Sequence, residues 1–173
     1  LTVGDRRVRL LLLVGGTLAF GLLFGLSLLA VVLSFVGMLV VHELGHFLVA
    51  RRTGMQVTEF FIGFGPRVWS VHRGETEYGV KAIPAGAYVR VTGMTNLDEV
   101  DPALEHRTYR HQSYPKRIPL AVAGSGMQFL LAVVLLVAIF IGTGRPDADD
   151  WTVGSVVPGT AAEAAGIQAD DRI

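Results

Sequence analysis

The sequence contains no cysteine. Disulfides, thiolate catalysis and cysteine-ligated zinc are therefore excluded, and the redox compartment stays open. Charge is scarce too. Asp, Glu, Lys and Arg make up 17% of the 173 residues, where soluble domains carry about 25%. Residues 10–41 and residues 118–144 hold no charged side chain at all. Uncharged apolar runs of this length are candidates for membrane spans, so a purely soluble protein is the first class to set aside. Intrinsic disorder is excluded by the 51% apolar content. Formal net charge is zero, so no basic field argues for nucleic acid. The expected environment is the lipid bilayer.

What is present divides the chain into five stretches. Residues 1–21 are a short basic arm, LTVGDRRVR, followed by an apolar segment. The apolar stretch is too long for a signal-peptide core and has no clear cleavage site, so it reads as a retained anchor. As one helix, residues 10–41 would reach about 48 Å, against a hydrocarbon core of about 30 Å. We expect one span over 22–50, with residues 10–21 interfacial or overhanging and a break offered by Gly15–Gly16. A single long tilted helix is the alternative. Residues 51–118 change character. The pieces VTEFFI, RVWSVH and EYGVKAI are β-branched and aromatic, and are punctuated by Gly63, Gly65–Pro66, Arg73–Gly74 and Pro84–Ala85–Gly86. They predict two or more short hairpins, with a short helix after Asp101–Pro102. A second span is expected over 119–142. The acidic linker RPDADD (145–150) leads into a new alternating unit, within a last stretch of 143–173.

Basic residues set the expected orientation. Arg51, Arg52, Arg67, Arg107, Arg110, Lys116 and Arg117 lie between the spans, while Arg6, Arg7, Arg9 and Arg145 lie outside them. That bias places 51–118 on the cytoplasmic side, with the amino terminus and 143–173 extracytoplasmic.

One motif carries chemistry. The first span ends VVHELGHFLVARR, which contains His42-Glu43-x-x-His46. Side chains four apart share a helix face, so both imidazoles can ligate one Zn²⁺ at about 2.0–2.1 Å. Glu43 lies beside the first of them and can take a proton from an attacking water and return it to a leaving amine. This is the zincin pattern. Chance alone produces it in roughly 0.6% of chains of this composition. Its place at the end of a span adds weight, because an acidic residue at mid-helix costs about 2.5–3.5 kcal/mol to insert. Two histidines do not complete a catalytic site, which uses three protein ligands. His72 falls in a predicted hairpin, and His106 and His111 in a polar connector, where solvent exposure is expected. Trp69, Tyr78 and Tyr88 suit a membrane interface. Gly124, Ser125 and Gly126 suit close helix packing.

Five segments, taken together, are more specific than the motif: HELGHFLVARRTGMQV (42–57), FFIGFGPRVWS (60–70), GETEYGVKAIPAGAYVRVTGM (74–94), AGSGMQFLLAV (123–133) and VVPGTAAEAAGIQADDRI (156–173). They resemble the site-2 protease family of intramembrane zinc metalloproteases, in its bacterial branch that cleaves anti-sigma factors. The resemblance implies a mainly α, integral membrane protein of the bacterial cytoplasmic membrane. It would have two transmembrane helices, or three if the N-terminal segment also spans, a membrane-associated β-hairpin insert, and the start of a PDZ domain at 156–173. It implies Zn²⁺ held by His42 and His46, with Glu43 as general acid/base, and a single-span membrane protein as substrate. The family's third ligand is an aspartate on a later span, expected beyond residue 173; without it these residues alone would be inactive. Where the family carries Gly-Pro-x-x-Asn, this chain has Gly124, Ser125 and Gln128; where a Gly-Gly pair is common, it has Gly86–Ala87. Gly86 and Gln128 are the implied substrate-binding positions. Two other functions fit the residues: a non-catalytic membrane adaptor working through hairpin and PDZ, and a metal-binding transport protein using the histidine pair.

Overall fold

The computed structural model describes residues 3–144 and 151–172; the acidic linker 145–150 lies outside these residues. They form two compact units, one ending at Val133 and the other beginning at Val134. In chain order the elements are α1 (Val3–Phe24), α2 (Leu26–Arg52), β1 (Val57–Arg73), β2 (Thr76–Val91), a 3₁₀ turn (Pro102–Arg107), α3 (Tyr114–Thr143) and α4 (Ala161–Ala164). Among the described residues, α1, α2 and α3 are long and apolar enough to cross a membrane.

The helix break falls at Gly25, not at Gly15–Gly16, through which α1 runs unbroken. Gly25 has φ 93° and ψ 148°, a backbone conformation that glycine reaches without steric cost. The chain reverses there. In a straight helix eight residues rise about 12 Å, yet a Cβ on Gly21 would lie 2.7 Å from Leu29 Cδ2. Arg9 Nη1 then donates to the Arg67 carbonyl of β1 at 2.8 Å. The start of α1 and the strands that follow α2 are therefore on the same side. This corrects the expectation that the amino terminus lies opposite residues 51–118.

The strands form one long antiparallel hairpin rather than several short ones. Residues 59–62 pair with 87–90 across it and also have partners in 77–80, Glu59 with Glu77 and Ile62 with Val80. The hairpin thus folds over on itself. Gly63 makes the fold possible: its φ is +86°, and a Cβ there would meet the Ile83 carbonyl oxygen at 2.5 Å. Thr76 Oγ1 donates to the Val57 carbonyl at 2.7 Å and ties the start of β2 to the start of β1 in the interior. Tyr78 and Tyr88, expected at an interface, are spent on this packing. Tyr78 lies edge-on to Phe47 of α2. Tyr88 stacks on Phe61 and Phe64, and its hydroxyl donates to Glu59 Oε2 at 2.5 Å. Burial, reinforced by that hydrogen bond to a carboxylate, holds the Tyr88 phenol well above its ordinary range.

The core is small and sits at the C-terminal end of α2. Phe47, Ala50, Met55, Val57, Val91 and Leu120 bury one another there. The connector is stitched to it by backbone pairs, Gln56 N–H to the Arg107 carbonyl at 2.9 Å and Thr92 N–H to the Gln56 carbonyl at 3.0 Å. The expected short helix after Asp101 is the 3₁₀ turn, capped by the Asp101 carboxylate on the Ala103 N–H at 2.9 Å. Arg107 holds Glu75 at the hairpin tip through two 2.7 Å bonds. That pairing keeps the Glu75 carboxyl below its ordinary range. Away from this core the long helices bury little: Leu11, Leu22 and Leu23 of α1, Leu26 of α2 and Phe129 of α3 are among many exposed apolar side chains. In the second unit Thr152 and Arg172 form one antiparallel bridge, beside the single turn of α4.

Candidate metal centre

α2 and α3 meet through small residues. Gly45 is buried, and a Cβ on it would sit 2.6 Å from Met127 Cγ and 2.8 Å from the Ala123 carbonyl carbon. This close approach brings one face of α2, carrying His42 and His46, against the start of α3. Gly124 is the seat of the first imidazole: a Cβ there would overlap His42 Cε1 and Nε2 and lie 2.7 Å from its Cδ2. The second imidazole is held by hydrogen bonding. His46 Nδ1 lies 2.8 Å from the Leu120 carbonyl oxygen. A carbonyl only accepts, so Nδ1 carries the proton and Nε2 presents its lone pair. A carbonyl behind a ligating imidazole is the usual support for a metal-bound histidine.

The two Nε2 atoms are 3.3 Å apart. Two nitrogens bound at about 2.0–2.1 Å to one tetrahedral Zn²⁺ are separated by about 3.3–3.4 Å. The pair therefore has the spacing of one edge of a zinc tetrahedron. The rings stand at 70° with centroids 5.0 Å apart, so the nitrogens converge without stacking. His42 Nδ1 is buried and has no hydrogen-bond partner among the described residues. These observations fit two of the three protein ligands of a catalytic zinc. Among the described residues no third His, Cys, Asp or Glu joins the pair.

Glu43 and His46 open onto a cavity of about 210 Å³ whose other walls are Val89, Val91, Met94 and Leu120. A larger one, about 490 Å³, lies among Thr58, Glu59, Arg90, Thr92, Leu97, Asp98 and Glu99. Two of its acids are already engaged: Glu59 accepts from Tyr88 and Arg90, and Asp98 accepts from the Gly93 N–H. The smaller space is where acid, imidazole and apolar walls converge.

The structure brings His42 and His46 together, and Glu43 lines one cavity with His46. It places the other candidates elsewhere. His72, His106 and His111 are exposed, His72 lying 3.8 Å from Glu77. Gly86 is buried where the folded hairpin meets α2, with Phe64 and Leu39 beside it. Gln128 is half-buried, one turn beyond Gly124 on α3. Two contributors have no signal in the sequence. Any residue has a carbonyl, so nothing marks Leu120; and Val89, Val91 and Met94 become cavity walls only because the hairpin folds back. Gly124 was visible as a small residue, and its neighbour across the interface turns out to be an imidazole rather than another helix backbone.

The model for peptidase family M50 matches residues 10–169. The zinc metalloprotease Rip1 of Mycobacterium tuberculosis is 48% identical over 106 residues, covering 61% of this chain and 26% of that protein. Rip1 of Mycolicibacterium smegmatis is 38% identical over 176 residues, covering 88% of this chain and 43% of that protein. The chain thus spans less than half the length of these curated relatives.

Proposed function

The chain belongs to peptidase family M50, and from that premise we propose that it is part of an intramembrane zinc metalloprotease that cleaves single-span membrane proteins such as anti-sigma factors. The observation that carries the reading is the 3.3 Å separation of the His42 and His46 Nε2 atoms, with Glu43 opening on the same cavity as His46. The relatives' names as zinc metalloproteases support the metal and the reaction class.

In this reading His42 and His46 hold the metal, and a third ligand completes the set from outside the groups described. Bound zinc supplies Lewis acidity toward the scissile carbonyl and the attacking water. The Glu43 carboxylate takes the proton that water loses and delivers it to the departing amine, so one side chain serves as base and then acid. The Leu120 carbonyl fixes the His46 ring and its tautomer throughout. Gly124 leaves the His42 ring its only space. The apolar flanks of α1, α2 and α3 lie in the bilayer. The bend of the hairpin, where Gly86 lies beside Leu39, reaches down α2 past the depth of His42. With α1 returning to the same face as the strands, Arg6, Arg7 and Arg9 join the seven basic residues of 51–118 that lie near the span ends, leaving Arg145 just after α3. The positive-inside bias toward a cytoplasmic 51–118 is therefore stronger than with two spans. Residues 156–173 open a PDZ domain that filters or docks substrates.

The test is cleavage of a single-span reporter by the full-length protein and its Glu43→Gln variant. Loss of cleavage with zinc retained supports the proposal. Cleavage that persists refutes the enzyme mechanism; zinc binding without any Glu43-dependent cleavage favours a metal-binding transport protein instead.

A further inference from the structure

The cavity beside Glu43 has a shape and lining that say more than its presence. Its four remaining walls are Val89, Val91, Met94 and Leu120, every one an aliphatic or thioether side chain. They come from three separate pieces of chain: the end of β2, the turn that follows it, and the first third of α3. At about 210 Å³ the space is smaller than the roughly 300–1,000 Å³ that holds a whole small-molecule ligand. It is a place for one side chain. Polar contacts are supplied only by Glu43 and His46, the two groups that face the reacting bond in the function proposed above.

We infer that this cavity is the specificity pocket of the protease, and that it accepts one branched aliphatic side chain, of leucine, isoleucine or valine, from a substrate residue flanking the scissile bond. The inference rests on the proposed function and adds the side chain that the site selects. Three observations carry it. Glu43, the proposed general base, lines the pocket, so whatever fills it lies close to that carboxylate. Its four apolar walls offer no side-chain hydrogen bond, so a polar side chain packed against them would enter at the cost of its hydration. Val91 and Leu120 belong to the buried core and are fixed, whereas Met94 is half exposed at the rim and can adjust, as an unbranched thioether does. The size limit is therefore set on one side by rigid walls and on the other by Met94. Leucine and valine side chains are also what a membrane-spanning substrate segment presents most often.

The experiment uses the full-length protein in vesicles of phosphatidylethanolamine and phosphatidylglycerol. Its substrate is a single-span reporter in which each residue around the cleaved bond is replaced in turn by Gly, Ala, Val, Leu, Phe and Trp. At one flanking position Leu is expected to exceed Ala in kcat/KM by about tenfold or more, since one methylene in an apolar pocket is worth ~10–200-fold. Met94→Trp fills the rim and should reverse the order, favouring Gly and Ala. Val89→Ala removes a wall and should move the optimum toward Phe. Zinc content should match the wild type in both variants, because both leave the histidine pair and the Leu120 carbonyl behind it in place. A flat size ranking in the wild type, or the same ranking in all three proteins, overturns the inference. Persistence of cleavage in Glu43→Gln overturns the underlying mechanism instead, so the two failures are distinguishable.

Discussion

Gly124→Ala adds one methyl group, and the structure says where it goes. The new Cβ would lie 2.7 Å from His42 Cδ2 and overlap Cε1 and Nε2 of the same ring. Carbon atoms at ease are about 3.5–4.0 Å apart, so the imidazole must retreat by roughly 1 Å. A metal site tolerates ligand displacements of only about 0.2 Å. The 3.3 Å edge between the two Nε2 atoms would then be lost. Changes that merely loosen the support of a ligand cost about 10–100-fold in metal affinity; displacing the ligand should cost at least about 100-fold, or about 2.7 kcal/mol. Folding should not suffer in step, since Ala is favoured over Gly in a helix by about 1 kcal/mol. Gly126→Ala is the control: it is on the same helix and has nothing within 4 Å of its Cβ position. Both variants would be made in the full-length protein, with zinc measured by competition with a chelator and activity by reporter cleavage. Zinc affinity within threefold of wild type in Gly124→Ala would refute the placement of His42. So would an equal loss in Gly126→Ala.

Gly45→Ala should act through the helix pair rather than through one ring. Its Cβ would press on Met127 and on the Ala123 carbonyl group, which cannot swing aside, so α2 and α3 should separate and the His46–Leu120 hydrogen bond should break; lowered thermal stability together with loss of zinc is the expected readout. Glu75→Gln should destabilise by at most about 1 kcal/mol at neutral pH, the pair with Arg107 being partly exposed. The Glu75 carboxyl is held low by Arg107, so its contribution is fully present above the ordinary carboxylate value of about 4.3 and disappears as pH falls through the lowered folded value; wild type and variant should converge in acid, read by thermal unfolding across pH. In the full-length protein with any cysteine outside these cysteine-free 173 residues replaced, Arg7→Cys and Leu97→Cys can be labelled cleanly in spheroplasts. Both should be shielded from an impermeant reagent while Phe24→Cys reacts; labelling of Arg7→Cys alone among that pair would undo the α1 reversal at Gly25.

Much of the site was legible because its parts are local. His42, Glu43 and His46 lie within two helical turns, and helix periodicity alone places them together. The uncharged runs likewise located the long helices, and the Asp101–Pro102 start of the 3₁₀ turn follows from capping and ring geometry. Legibility failed where distant segments decide. Gly25 carries the reversal rather than Gly15 or Gly16, since a glycine within a long apolar helix is tolerated and only tertiary contacts select which one turns. The folding of the hairpin on itself has no signal in the sequence, because strand composition repeats along it and says nothing of Glu59 having partners on both sides. Tyr78 and Tyr88 carry the amphipathic character of interface residues; that they are half-buried against Phe47, Phe61 and Phe64 follows from the folded hairpin and has no signal in their own composition.

The central claim is that one turn of α2 presents two imidazole nitrogens to a single cation. X-ray absorption at the zinc edge, on the full-length protein in membranes, reads this directly. A first shell containing two imidazoles at about 2.0–2.1 Å, losing one in His42→Ala and one in His46→Ala, is the predicted result. A zinc shell that both substitutions leave unchanged would contradict it.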